Sequence, residues 1–410
     1  MSKKYFPIVT ESACRLKWAW SSVYLTTGVS SSCHRSGHDK LTKDNFGNFH
    51  NLETKIKDRS LMLQGKWGDS GCDYCKTIED SGGYSDRQYQ LTIPDVYPPE
   101  LDNNSTLTHV EPVILEIFFK NTCNLMCIYC HEQYSSSIDQ ENKKFGEPIH
   151  IKSRVASQDQ YSTLAPLMWE WLENNVQKLH RLHILGGEPL IQEDFSRLIE
   201  LLNRKPNPRL ELNVISNLIV KEKVLKDAVT KLNALIVSKK IRRIDFFASV
   251  DSWGPGQEYV RTGFDMKVFK NNFDFLLKNT VFKLGIFSTV TSLSIFEMPN
   301  LLKMYKQWSE HRKIFWNLHL VLPEDHVLSP IAFDYSEYSS YFSELEKNLE
   351  SINFEEDITK KLVQGFSAKL STNIENKQMQ KNLIEYLNEI DRRRNLNWQN
   401  TFPWLKKYVV

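Results

Sequence analysis

Lys120-Asn-Thr-Cys123-Asn-Leu-Met-Cys127-Ile-Tyr-Cys130 follows directly on Val113–Phe119 (VILEIFF), an apolar run of strand length, and its cysteines stand at C-x3-C-x2-C spacing. Outward from this loop, apolar runs alternate with amphipathic stretches. Strands are expected at Val113–Phe119, Leu182–Leu185, Leu210–Ile215, Ile244–Val250, Phe282–Val290 and Phe315–Leu322. Helices are expected at Leu164–Leu179, Phe195–Asn203, Lys221–Lys239, Val268–Leu277 and Phe296–Trp308. A polar insertion, roughly Ser135–Gln160, interrupts the first crossover. Strands separated by helices of that length call for parallel pairing with crossover connections. Six such units predict an α/β chain built on a partial (β/α)6 barrel, an incomplete relative of the eight-stranded one. Upstream, residues 1–105 carry short β-type runs and many Gly and Ser, and end in a Pro- and Asn-rich linker, Pro94–Ser105. They read as a small N-terminal α+β domain, 106–330 as the barrel, and 331–410 as a helical C-terminal region.

The cysteine loop sits at the carboxyl end of the first barrel strand, where parallel β/α enzymes place their chemistry. Three thiolates from one loop can ligate three irons of a cubane cluster and leave the fourth iron open to a cofactor or substrate. Zinc is the alternative, with His131 as a fourth ligand. Gly186-Gly187-Glu188-Pro189 follows the second strand. By itself it reads as a turn leading into a helix with Pro near its first position. It also provides glycines that let backbone approach a ligand, and a carboxylate able to accept from an ammonium group.

At these residues the chain resembles the radical S-adenosylmethionine (SAM) superfamily, over roughly Val113 to Pro330. The resemblance implies that Cys123, Cys127 and Cys130 hold a [4Fe–4S] cluster whose open iron is chelated by the methionine amino and carboxylate groups of SAM. Reductive cleavage of SAM would then give a 5′-deoxyadenosyl radical that abstracts hydrogen, with the protein positioning and shielding it. It further implies that Tyr129 packs near the adenine, that Gly186, Gly187 and Glu188 bind the SAM amino group, and that Ser216, Ser249 and Arg261 make polar contacts to its ribose and carboxylate. Loop packing for Tyr129, and strand-end or solvated roles for the others, are the plain alternatives. Thr289 and Val290 close the fifth strand, with core packing the readier role, and Leu322-Pro323 closes the sixth.

Cys14, Cys33, Cys72 and Cys75 remain, as C-x13-G-x4-C with Gly28 as the glycine, then 38 residues, then C-x2-C. Four thiolates suit either tetrahedral zinc or a fully ligated [4Fe–4S] cluster. The pattern resembles the start of the SPASM and twitch auxiliary-cluster modules of radical SAM enzymes, in which a hairpin, here Ser21–Thr27 and Val29–Ser32, positions two ligands. Those modules usually follow the barrel, whereas this one precedes it. With no open iron expected, electron relay or structural support is the implied role. Around Cys72 and Cys75, Glu79, Asp86 and Arg87 either wrap the centre or face substrate.

Composition sets the remaining bounds. With 52 basic and 50 acidic side chains, the charge is too even to indicate nucleic-acid binding. Seven cysteines exclude a complete internal disulfide framework. No apolar run is of membrane-spanning length and the N-terminus carries no secretion signal, so a cytoplasmic setting is expected. Trp18, Trp20, Trp253 and Trp316 read as core, and His183 as ordinary. The resemblance implies an electron donor such as a flavodoxin or ferredoxin. It makes a peptide the first substrate class to consider, with sugars and nucleotides behind it. No peptide-leader-binding domain is recognisable ahead of the barrel. An iron–sulfur or zinc protein without SAM chemistry, acting in electron transfer or nucleic-acid binding, is the competing class.

Overall fold

The computed structural model describes residues 4–33, 37–80, 82, 84–94, 96–151, 159–321, 326–350, 358–372 and 374–409. Its strands are β1 (Trp20–Tyr24), β2 (Val29–Ser31), β3 (Asp39–Lys40), β4 (Ile114–Phe118), β5 (Met126–Cys127), β6 (Arg181–Leu185), β7 (Asn207–Ser216), β8 (Ile241–Ser249), β9 (Arg261–Thr262), β10 (Lys283–Val290) and β11 (Phe315–Leu320). Nine form one open sheet in the order β11-β10-β8-β7-β6-β4-β1-β2-β3, and β5 pairs with β9. From β4 to β11 every neighbour is parallel. The crossovers carry helices Tyr161–Asn175, Glu193–Arg204, Glu222–Val237, Met266–Asn279 and Met298–His311. The six expected strands and five expected helices are all present, with ends shifted by a few residues. Leu322-Pro323 lies outside the described residues.

The period of two along each strand sorts the side chains. Leu182 and Ile184, Leu212 and Val214, Ile244 and Phe246, and Leu284 and Ile286 are buried under the helices. The opposite face lines the lumen and is polar near its base. One register row runs Ser22, Glu116, His183, Asn213, Asp245, Lys283 across six strands. Below it Glu211 binds Arg181 and Arg243, and Arg243 also binds Asp245. These residues, with His183, Asn213 and Lys283, line a cavity of about 160 Å³ at the amino ends of the strands.

Two features of the N-terminal region go beyond the α+β reading. First, its hairpin is not a separate sheet. β1 pairs in parallel with β4, from Trp20 opposite Ile114 to Tyr24 opposite Phe118, so the hairpin extends the barrel sheet. β1 is buried along its whole length, with Val23 in the main core and Trp18 and Trp20 in a second cluster with Phe6 and Tyr97. Second, much of the chain between β3 and β4 is helical, in Glu53–Leu63, Asp73–Asp80 and Asp86–Leu91. In the first of these Lys55, Asp58, Arg59 and Met62 are buried, a helical spacing hidden from hydropathy because three of the four are charged. The stretch expected to be a linker contributes Tyr97 and Leu101 to the second cluster. Among the described residues no helix is long and apolar enough to cross a membrane.

Because β1 has a neighbour on each side, Val23→Pro removes a ladder donor and leaves a buried carbonyl unmet, at about 1–3 kcal/mol. Urea unfolding should show at least that loss, and the barrel and hairpin should unfold together rather than in two steps.

Candidate functional site

The cysteine loop is held from three sides. Cys127 lies in β5, opposite Arg261 of β9, and the Ile128 N–H donates to the Val260 carbonyl at 2.9 Å. Ser137 Oγ donates to the Cys123 carbonyl at 2.8 Å, Ser135 Oγ to the Leu125 carbonyl at 2.7 Å, and the Cys123 N–H to Ser136 Oγ at 3.1 Å. Beneath the loop runs the Gly186–Pro189 turn. Its Glu188 N–H donates to the Thr122 carbonyl at 2.8 Å and its Gly187 N–H to the Tyr134 carbonyl at 3.0 Å. At Gly187, φ is +58° and a Cβ would sit 2.2 Å from the Thr122 oxygen, so only glycine lets the two loops touch.

The Glu188 side chain is fully buried. Ser216 Oγ donates to its Oε1 at 2.8 Å, as does the Leu190 N–H at 3.0 Å, and the Asn217 N–H donates to Oε2 at 2.6 Å. Burial outweighs these donors and pushes its carboxyl up to about 7. Among the described residues no cation pairs with it. Asn217 Nδ2 also reaches Cys123 Sγ at 3.9 Å and Asn124 Oδ1 at 3.0 Å.

Arg261 and Tyr129 meet at a residue whose role the sequence concealed. Asp251 is fully buried and accepts from Arg261 Nη2 at 2.8 Å and Nε at 2.9 Å, from Tyr129 Oη at 2.7 Å and from the Thr289 N–H at 2.8 Å. The remaining nitrogen of the guanidinium, Nη1, lies 3.9 Å from Cys127 Sγ. Tyr129 thus braces the loop through Asp251, and Arg261 spends two nitrogens on the same carboxylate. Ser249 makes no side-chain hydrogen bond among the described residues and joins none of this. Val290 is core.

The third side comes from far along the chain. Tyr386 Oη donates to the Ile128 carbonyl at 2.6 Å and Arg394 Nη1 to the Met126 carbonyl at 2.6 Å, while Arg394 Nε pairs with Glu141 at 2.8 Å. Both donors belong to helix Lys377–Arg394. Its buried spacing marks a packed helix, but nothing in it indicates which loop it packs on.

The second thiol set gathers toward the other end of the sheet. Cys14 caps helix Arg15–Ala19 ahead of β1, Cys33 follows β2, and Cys72 precedes helix Asp73–Asp80, which contains Cys75. Burial, with Cys33 and Cys72 adding to it, pushes the Cys14 thiol up to about 12; Cys33 acts likewise on Cys72 and Cys75. In the first set burial raises all three thiols, Cys123 to about 12, with Cys127 adding to Cys123 and Cys130. All seven cysteines are free thiols. Among the described residues no three His, Cys, Asp or Glu side chains converge as donors to a single metal ion. Glu79 and Arg87 do not face the lumen: Arg87 Nε pairs with Glu79 at 2.8 Å, and its Nη1 donates to the Ala13 carbonyl at 2.8 Å.

Fold and site together define an α/β protein with an open, largely parallel nine-stranded sheet, and with a thiol loop and a buried carboxylate at the carboxyl end of its parallel strands. No protein-family model matches the chain, and no curated protein matches it. Among solved structures, anSMEcpe with bound AdoMet and Kp18Cys peptide aligns with 57% of this chain and 59% of its own, at 18% identity and a TM-score of 0.37. Streptococcus suis SuiB bound to precursor peptide SuiA aligns with 72% and 64%, at 14% identity and a TM-score of 0.39. The chain thus spans about three fifths of the length of these two proteins. Likeness at this level carries no function from one chain to another.

The carboxyl of Glu188 has a testable signature. With its ordinary value at 4.5 and its folded value at about 7, the folded chain keeps a proton that the unfolded chain has lost between those limits. Stability therefore falls as pH rises through that window, at about 1.4 kcal/mol per unit at most. Glu188→Gln should remove that slope from urea unfolding of the metal-free protein.

Proposed function

We propose that the chain is a radical SAM enzyme, with Cys123, Cys127 and Cys130 holding a [4Fe–4S] cluster. The observation that carries this reading is Glu188. A fully buried carboxylate that no cation pairs with among the described residues, beside Cys123 and on a glycine turn that touches the cysteine loop, fits the ammonium group of a methionine whose other atoms reach an open iron. Its Oε2 accepts one bond, and a carboxylate oxygen can accept a second. The donor set also fits a thiolate-bound cluster, since Arg261 and Asn217 point N–H groups at Cys127 and Cys123. When bound, the cluster and SAM supply one-electron cleavage of the sulfonium C–S bond and, through it, abstraction of hydrogen from carbon. The protein's own residues orient and exclude. Glu188 takes the ammonium, and the Asp251–Arg261–Tyr129 network fixes the loop. Ser216 holds Glu188, and Tyr386 and Arg394 close the loop against solvent.

Cys14, Cys33, Cys72 and Cys75 hold a second cluster in a twitch-like module within 1–105, ahead of a barrel at 106–330 and a helical region at 331–410. The substrate is a peptide, as the resemblance to twitch and SPASM enzymes suggests. The half-buried lumen aromatics Phe118, Phe247 and Phe287 suit side chains presented from such a chain. A flavodoxin or ferredoxin supplies the electron.

Oxygen-free reconstitution tests this. The protein should take up iron for two clusters and, once reduced, convert SAM to 5′-deoxyadenosine. Replacing Cys123, Cys127 and Cys130 with Ala should remove half the iron and all cleavage. Replacing Cys72 and Cys75 should remove the other half. Iron uptake without any SAM cleavage sinks the reading. Glu188→Gln should weaken SAM binding by about tenfold to a hundredfold, for a charge-assisted bond worth roughly 1.5–3 kcal/mol. Deuterated peptide pools that pass label into 5′-deoxyadenosine would identify the substrate.

A further inference from the structure

The second thiol set is enclosed by buried cations. Lys17 is 2% exposed, and its Nζ donates to Asp58 Oδ2 at 2.6 Å and Ser70 Oγ at 3.0 Å. The same ammonium lies close enough to the Cys72 thiol for each to act on the other, Lys17 drawing the thiol down and Cys72 drawing the ammonium up. Lys55 is buried among neutral acceptors only, donating to Ser30 Oγ and the Phe49 carbonyl at 2.6 Å, Ser21 Oγ at 3.2 Å and the Ser31 carbonyl at 3.3 Å. Cys33 acts electrostatically on it. Arg15 is fully buried beside Cys14, and Arg87 acts on both Cys14 and Cys75. Each of the four thiols thus has a buried cation within electrostatic reach. Against them Asp58 pairs with Lys17 and Glu79 with Arg87, and Asp39 acts on Lys55 from a half-exposed position.

Buried charge without a counter-charge is expensive. Lys55 shows it: burial and Arg59 hold its ammonium well below the usual lysine range. Four thiolates around a metal centre would supply the missing negative charge. A centre that served only as a scaffold needs no more than that. Cations and N–H groups directed at the sulfurs do something further: they favour the more reduced, more negative state of a cluster and so raise its potential.

Resting on the reading that this set holds a [4Fe–4S] cluster, the geometry points to a redox role, with Lys17 as the residue that sets its potential. Clamped by Asp58 and by Ser70, two residues ahead of Cys72, Lys17 presents a fixed, buried positive charge at that thiol's side of the set. On reduction by a low-potential donor, one electron leaves the donor and enters the cluster; no bond is made or broken. The extra negative charge falls beside Lys17. Lys17 is a positioning residue and touches no substrate.

The test is an EPR-monitored potentiometric titration of the full-length reconstituted protein, with Cys123, Cys127 and Cys130 replaced by Ala so that only the second cluster reports. Lys17→Met should shift the reduction equilibrium at least tenfold toward the oxidised form, or 59 mV for one electron. Asp58→Asn, which removes the opposing charge, should shift it the other way, and Lys17→Arg should stay near the parent. Were Lys17 merely structural, both charge-removing variants would move together or lose iron together. A shift in the same direction, or an unmoved midpoint in an iron-loaded Lys17→Met protein, overturns the proposal. If Lys17→Met loses its iron, Asp58→Asn decides alone: a midpoint that fails to rise overturns it. Zinc in place of iron in the parent protein overturns both this inference and the cluster assignment, whereas iron with an unmoved midpoint overturns this inference only.

Discussion

The parallel pairing of β1 with β4 is the constraint on which the architecture rests. It joins the N-terminal hairpin to the barrel in one sheet and fixes where both thiol sets lie. The loop bearing Cys123, Cys127 and Cys130 leaves the carboxyl end of β4. Cys14 precedes the amino end of the parallel strand β1, and β2, running antiparallel, carries the chain toward Cys33 at the same end. At about 3.3 Å per residue, a five-residue strand sets the two sets on the order of 15–20 Å apart along the lumen. Between them lie Glu116, Phe118, Tyr24 and Tyr134, with Tyr24 stacked on Phe118 at 4.1 Å.

The two ends of this lumen have opposite electrostatic debts. At the carboxyl end Asp251 is matched by Arg261, but Glu188 is buried without a cation. At the amino end Lys17 and Arg87 are matched, but Lys55 and Arg15 are buried without direct carboxylate partners among the described residues. An isolated protein gains nothing from either imbalance. The proposed function would answer both, with a cationic amino group at the first end and an anionic metal–thiolate centre at the second. The polar row across the lumen, with its internal Arg181–Glu211–Arg243–Asp245 pairing, is by contrast balanced and reads as part of the base of the barrel.

What could be read in the sequence was whatever has a period or a fixed spacing. The six barrel strands announce themselves because their outer face is apolar at every second residue, as in Leu182–Ile184 and Ile244–Phe246. The cysteine loop and the Gly186–Glu188 turn are likewise local, and Gly187 proves to be demanded by contact with Thr122. Features formed across long separations were hidden. Asp251 stood in plain view at a strand end, yet its tie to Tyr129 spans 122 residues. Tyr386 and Arg394 gave no hint of their target. The helix at Glu53–Leu63 escaped because its buried side, Lys55, Asp58 and Arg59, is charged, and hydropathy counts such residues as surface. The union of β1 with β4 escaped for a related reason. A fully buried strand containing two serines, Trp20-Ser-Ser-Val-Tyr24, has no alternation to reveal that it has partners on both sides.

The grip of Tyr386 on Ile128 also fixes an order of events in the cell. The two residues are 258 apart, so on a ribosome adding about 5–20 residues per second the thiol loop emerges tens of seconds before the helix that clasps it. During that interval three cysteines are held only by their local serines and by whichever strands have already formed. Metal delivered early would meet an unfastened loop, open to mispairing and oxidation. Metal delivered after synthesis would meet a loop whose backbone that helix already holds.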